Sequence, residues 1–321
     1  MKTNLTELLD LKVPIVQAPM GGGVANAALG AAVGKAGGLA ILPVWPLPPD
    51  IAAREIEALA KATSAPFGVN LNVAFGPDAH LSLALDLKVP LIHFFWGDAS
   101  PFVARAKSGG ARVMVTVASG AEAARARDAG ADLLVAQGIE AGGHVWGTTG
   151  LLSLLPRVVD AARGIAVIAA GGIADARGVR AARALGAEGV LVGTALAVAD
   201  ESGAHPLYKS ALIAAADSET ALGTIFDIGW PGAPSRTLRN STVRAWEAAG
   251  SPPSGKRPGE GEIVAKDSLG QPVPRYSVTP PAAGAVGAIE AMALYAGQGV
   301  GLVTQAAPAA EILARLAEGS A

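Results

Sequence analysis

Short runs of Val, Ile and Leu, apolar at every position, recur through the N-terminal two-thirds of the chain and alternate with longer Ala-rich stretches of helical periodicity. An unbroken apolar run suits a strand covered on both faces, and the amphipathic stretches suit the helices that cover it. The runs predict strands at 14–18, 38–42, 67–71, 91–95, 112–117, 132–136, 166–169 and 189–192. Helices are predicted between them at 25–36, 51–62, 121–129, 150–162 and 174–185, several entered through Ser, Asp or Thr caps. Eight strands, each followed by a helix, close most economically into a (β/α)8 TIM barrel, an α/β fold.

The rhythm breaks near residue 205. Gly229-Trp230-Pro231-Gly232, Ser251 to Gly255 and Pro272 to Pro281 are dense in turn formers. Helical periodicity returns at 285–295 and 308–316. The reading is a barrel over 1–204, a Gly/Pro-rich insertion or lid over 205–284, and C-terminal helices over 285–321 that pack back on the barrel as a cover for one face.

Composition narrows the function. Hydrophobic residues make up 51% and charged residues 16%, enough apolar surface for a large core. A formal charge of -2 with no Lys/Arg cluster excludes a phosphate-backbone binder, so no nucleic acid partner is expected. With no cysteine there is no disulfide, thiolate ligand or thiol nucleophile, and redox chemistry would need a borrowed cofactor. No His/Asp/Glu set has metal-ligand spacing, so no metal is expected. The polar N-terminus lacks a signal-peptide core, and no run has membrane-spanning length; the chain is read as cytoplasmic with no membrane partner.

In such a barrel, chemistry belongs just past the C-terminal end of each strand. Gly171-Gly172 and Gly193-Thr194 follow the last two strands and offer bare N–H groups where barrels often hold a phosphate, although paired glycines also make tight turns. Gly21-Gly22-Gly23 resembles part of a dinucleotide fingerprint, but the second strand ends without the acidic residue a ribose would need. Asn70 and Gln137 place amides at strand ends, able to bond a heterocycle or to brace a loop. His144, after Gly142-Gly143 in a predicted loop, is the catalytic candidate, because an imidazole there can exchange a proton near neutral pH. Glu140 would orient it or brace the loop. His93, inside the fourth strand and on the same side as Phe95, reads as a hydrogen-bonded interior histidine; His80 and His205 read as solvated.

Five segments taken in order resemble a known family: Pro14 to Met20, Gly68-Val69-Asn70-Leu71-Asn72, Ala136-Gln137-Gly138-Ile139-Glu140-Ala141-Gly142-Gly143-His144, Ala169 to Ile173, and Val192-Gly193-Thr194-Ala195. They look like the nitronate monooxygenases, formerly called 2-nitropropane dioxygenases, and the likeness resumes at Tyr295-Ala296-Gly297-Gln298-Gly299. The Gln-Gly-Ile-Glu-Ala-Gly-Gly-His run is its most specific part. The resemblance implies non-covalent FMN at the barrel mouth. Met20 and Asn70 would border the flavin, Gln137 and Gly142 would meet its ring or ribityl chain, Gly172, Gly193 and Thr194 would hold its phosphate, and Gln298 would lie near it. In one respect the chain departs from the pattern: Phe95 stands where the best-known bacterial group carries a histidine, so either His144 serves instead, or His93 does after a register shift, or the substrate is not a nitronate. His93, Phe95 and Trp96 then form the expected substrate pocket.

The leading expectation is oxidation of an alkyl nitronate by FMN and dioxygen to a carbonyl compound and nitrite, with a protonated His144 pairing with the anion. The alternative is an NAD(P)H-dependent FMN reductase of quinones or activated alkenes, as in the enoyl-ACP reductases. A non-catalytic flavin-storage barrel is the third reading. Assembly as a homodimer is allowed for.

Overall fold

A computed structural model describes residues 3–320; Met1, Lys2 and Ala321, which the expected segments include, lie outside the described residues. All eight predicted barrel strands are present, with ends moved by a residue or two. They are β1 (Ile15–Gln17), β2 (Ala40–Pro43), β3 (Phe67–Asn72), β4 (Leu91–Phe95), β5 (Arg112–Val117) and β6 (Leu133–Gln137), then, after a two-residue strand β7 (Gly143–His144), β8 (Ala166–Ala170) and β9 (Gly189–Val192). The sheet runs β1-β9-β8-β6-β5-β4-β3-β2 with every pairing parallel. It closes between β1 and β2 through the Val16–Leu39 bridge and through Gln17, whose Nε2 donates to the Ile41 carbonyl at 2.9 Å. The result is a TIM barrel.

Successive strand residues point to opposite faces, so each strand splits its side chains between two cores. The outward residues, such as Val69, Ile92, Val113, Leu134 and Val167, pack under the ring of helices. The inward residues Val16, Ile41, Leu91, Met114, Leu133 and Ile168 fill the lower barrel, and the helix Asn4–Leu9 plugs its floor with Leu5 and Leu9. Gly189 admits that plug, since a Cβ there would lie 2.4 Å from Leu5 Cδ2. Toward the C-terminal ends the interior turns polar, with Asn70, His93 and Thr116 all buried. This change of character marks where the barrel stops being core and becomes a site.

The C-terminal segment differs from expectation twice. Residues 285–295 form no α-helix: β14 (Val286–Gly287) pairs with β12 (Ile263–Lys266), which also pairs with β13 (Pro272–Pro274), and a 3-10 turn follows at Ile289–Ala291. Small Ala and Gly positions mimic helical periodicity there while the backbone is committed to a sheet edge. The helix Ala309–Ala317 does form, but it packs beside the helices Ala27–Lys35 and Ala176–Ala184 and so completes the outer ring instead of covering a face. Gly38 lets it approach, a Cβ there meeting Leu313 Cδ2 at 2.7 Å.

The insertion is ordered. It carries the helices Pro206–Ala214 and Ser241–Ala248 and an antiparallel pair, β10 (Thr220–Gly223) and β11 (Ser235–Leu238), and β11 reaches back to pair with β7. Buried Arg257 anchors it: the guanidinium bonds Asp227 at 2.7 Å and the Ile225 carbonyl at 2.9 Å, pairs with Glu260, and lies 4.5 Å over the Tyr276 ring. No helix of the described residues is long and apolar enough to cross a membrane.

Candidate active site

A cavity of about 810 Å³ opens at the C-terminal ends of the strands, roofed by the insertion. Met20, Asn70, His93, Phe95, Gln137, Gly142, His144, Gly171, Gly172, Gly193 and Thr194 all line it, so the structure gathers most residues singled out in the sequence. Two stand apart. Gln298 faces a second cleft, with Leu152 and Leu302, on the other side of the Gly171–Gly172 turn, and its contribution near the cavity is its backbone N–H, donated to the Glu140 carbonyl at 2.9 Å. Trp96 stands behind the cavity wall, edge-on to His144 at 6.0 Å and to Trp230 at 4.7 Å.

His144 lies in β7, not in a loop. Its register partner is Ser235 of β11, so the insertion fixes its backbone. The Gln137 side chain does the same from the barrel side: Nε2 donates to the His144 carbonyl at 3.1 Å and Oε1 accepts from the Trp146 N–H at 3.0 Å. Gln137 thus braces the 144–146 backbone, one of the two roles the sequence left open for it, the other being a contact to a heterocycle. Glu140 does not touch the imidazole. Its carboxylate accepts from the Leu151 N–H at 2.9 and 3.0 Å, capping the helix Leu151–Ala162 and bracing the loop.

The His144 ring is stacked on Trp230 at 4.1 Å and tilted against Tyr295 at 5.6 Å. Neither ring nitrogen has a hydrogen-bond partner among the described residues, and Nε2 is closed to solvent. Burial lowers its pKa from 6.5 to about 4. The imidazole is therefore neutral at pH 7 in this pocket, correcting the expectation of a standing imidazolium; only an arriving anion would restore the charge.

His93 is an interior histidine, hydrogen-bonded on both nitrogens. Asn70 Nδ2 approaches Nδ1 at 3.2 Å and Thr116 Oγ1 approaches Nε2 at 2.7 Å. Because the amide can only donate, Nδ1 is the acceptor and Nε2–H donates to the threonine, a tautomer assigned from the network. Burial pushes its pKa down to about 3. Asn70 keeps its carbonyl free of described partners. The remaining histidines are not simply solvated: His80 Nε2 bonds the Leu47 carbonyl at 2.8 Å at the cavity rim, and His205 Nδ1 caps its own helix by accepting from Leu207 N–H.

Two glycine turns make up the far wall. Gly171 and Gly172 have φ of 113° and 70°, and a Cβ on Gly171 would sit 3.0 Å from the Gly138 carbonyl. The N–H groups of Gly172, Gly193 and Thr194 have no acceptor among the described residues. The following helix, Ala176–Ala184, contributes none, because Asp175 caps it by accepting from the Arg177 and Gly178 N–H groups. A phosphate fits this arrangement as a guest of turn amides, with no Lys or Arg among the described residues lining the cavity. Thr194 Oγ1 accepts from Gly297 N–H at 3.0 Å, tying the 296–299 segment over the site. Gly142 makes room for that crossing, since a Cβ there would lie 2.5 Å from Gly297 N. Gly22 packs against Pro280 of the insertion in the same way, which accounts for that glycine without a dinucleotide.

What sequence reading missed is the aromatic wall. Trp45, Phe75 and Trp230 meet at 4.9 to 5.5 Å, and Trp96 and Trp146 back them at 4.7 and 5.1 Å. Four of the five tryptophans of an aromatic-poor chain converge here. That scarcity, with Trp45 and Trp230 each next to a proline instead of on an apolar stripe, was the available signal.

Comparison with known proteins agrees with this geometry. The family model described as nitronate monooxygenase matches residues 2–79 and 71–319. The chain belongs to the nitronate monooxygenase family. A nitronate monooxygenase of Pseudomonas aeruginosa is 33% identical and aligns over 99% of both chains. Among solved structures, nitroalkane oxidase from Streptomyces ansochromogenes superposes with a TM-score of 0.81 at 32% identity, covering 99% of each chain. FabK from Thermotoga maritima does so with a TM-score of 0.83 at 30% identity, covering 99% of this chain and 96% of that one. As a nitronate monooxygenase family member the chain is an oxidoreductase.

Proposed function

We propose that the enzyme binds flavin mononucleotide at the barrel mouth and oxidises alkyl nitronates with dioxygen to a carbonyl compound and nitrite. The observation that carries this reading is His144, an imidazole with no protein partner on either nitrogen, facing a cavity whose opposite wall is a cradle of unpartnered glycine-turn amides. The cradle, the free Asn70 carbonyl and the cavity volume, toward the upper end of the ~300–1,000 Å³ typical of small-molecule sites, fit that cofactor with space for a second molecule. The amides of Gly172, Gly193 and Thr194 would hold its phosphate, and Met20 and Asn70 would border its ring. When bound, it supplies the electron-accepting and dioxygen-handling chemistry.

The protein's share is to bind, orient and manage a proton. A neutral imidazole offers one donor and one acceptor. With Nε2 closed off, Nδ1 is the nitrogen left to meet a substrate: carrying the proton it can hold a nitronate oxygen, and bare it can take the α-proton of a substrate that arrives as the neutral nitroalkane. Trp230 and Phe95 exclude water and strengthen both contacts. In His144→Ala, flavin reduction by a nitronate under anaerobic conditions should slow by ~10²–10⁴-fold with cofactor still bound; full turnover with bound flavin would refute the role.

A second reading, an NAD(P)H-dependent reductase of quinones or activated alkenes, is favoured by Phe95 at the expected histidine position and by the likeness to FabK. Anaerobic mixing separates the two. Bleaching of the flavin by NADH or NADPH selects the reductase; bleaching by a nitronate alone selects the monooxygenase.

A further inference from the structure

The cavity continues outward from His144 along one apolar track. Trp230 stacks on the imidazole, Trp45 and Phe75 meet Trp230 edge-on at 5.5 and 5.1 Å, and Leu47 and Leu269 stand at the rim. Phe75 is 47% and Leu269 80% exposed, so the track ends in apolar side chains left open to water. Single exposed apolar residues are ordinary, but a connected series leading from a site to solvent is a binding surface. Charge reinforces the point. Among the described residues no Lys or Arg lines the cavity, and the charged side chains that do are Glu55 and Asp267. Asp267 is held by the N–H groups of Leu269 and Gln271.

We propose that the substrate carries an uncharged alkyl or aryl body of several carbons, seated on Trp45, Phe75 and Trp230, with its reacting carbon at His144. This rests on the nitronate reading above and adds the substrate's class to it. A small nitronate leaves the track empty and gains nothing from it. A body bearing its own carboxylate meets acidic side chains and no cation, and is rejected.

The test uses the holoenzyme and two separate readouts. Straight-chain neutral nitroalkanes from nitroethane to nitrohexane are titrated calorimetrically, and the corresponding nitronates are assayed for kcat/KM and for anaerobic flavin bleaching. Burial of each added methylene should tighten Kd and raise kcat/KM by about fourfold until the track is covered. An ω-carboxylated nitroalkane should bind more weakly than the uncharged one of equal length. Phe75→Ala, compared with wild type at matched Tm and flavin content, should compress the hexyl-to-ethyl ratio. Turnover with Kd and kcat/KM indifferent to chain length overturns the proposal and leaves the nitronate reading standing. Chain-length-dependent binding without any bleaching by nitronates does the reverse.

Discussion

Lowering the pH through the range in which a free imidazole titrates probes the two buried histidines. His93 and His144 have pKa values of about 3 and about 4, both pushed below the ordinary 6.5 by burial. For His93 a second cause is visible: a proton on Nδ1 would face the Asn70 amide, donor against donor. The unfolded chain takes up protons as the pH falls below 6.5 while the folded protein does not, so their stabilisation is complete above that value. It declines on acidification until the folded histidines themselves protonate. At about pH 4.5 the linkage is on the order of 3 kcal/mol for His93, with a smaller addition from cavity-lining His144. Urea unfolding of the wild type and His93→Gln at pH 7.5 and 4.5 isolates the effect. The variant starts less stable, because a buried hydrogen-bonded ring is gone, but should lose ~2–3 kcal/mol less between the two pH values. Equal losses would show that His93 is protonated in the folded state and would refute the tautomer and the network assigned to it.

Three further outcomes follow from the packing. Gln137→Leu strips partners from the His144 carbonyl and the Trp146 N–H, a local cost of about 1–3 kcal/mol for each group left unpaired; flavin content should persist while kcat falls and KM changes little, in steady-state assays. Arg257→Met leaves Asp227 buried without its cation and should cost about 3–5 kcal/mol, read as a lower Tm, with altered tryptophan fluorescence because Asp227 also accepts from Gly232 N–H beside Trp230. Gly171→Ala forces a Cβ toward the Gly138 carbonyl at a positive φ, and the purified protein should hold less flavin than wild type at equal concentration.

The barrel was legible because its signals are local. Each strand announces itself by an apolar run, and each helix by its period and its cap. His144 was found because Gly-Gly-His at a strand end has few structural excuses. Its placement in β7 was hidden, since the partner Ser235 lies far along the chain and a two-residue strand has no period to read. For Gln137 and Glu140 the sequence named loop bracing beside a role toward a ligand or the imidazole and did not separate the two, because an amide or carboxylate carries no record of whether it turns to a ligand or to a neighbouring backbone. Residues 285–295 misled for the opposite reason: small side chains satisfy a helical pattern without requiring a helix. The tryptophan wall depends wholly on long-range assembly, with Trp45, Phe75, Trp146 and Trp230 delivered by four different connections.

The helix Ala309–Ala317 has a consequence for biosynthesis. It lies against the helix Ala27–Lys35, so the flank of the first β/α unit stays bare while everything between is made on the ribosome. That flank must wait for residues 309–317, and the half-finished barrel carries a sticky seam until they are made. Chaperone dependence during synthesis, and aggregation of nascent chains stalled before Ala309, are the expected marks of a ring left open until this helix is made.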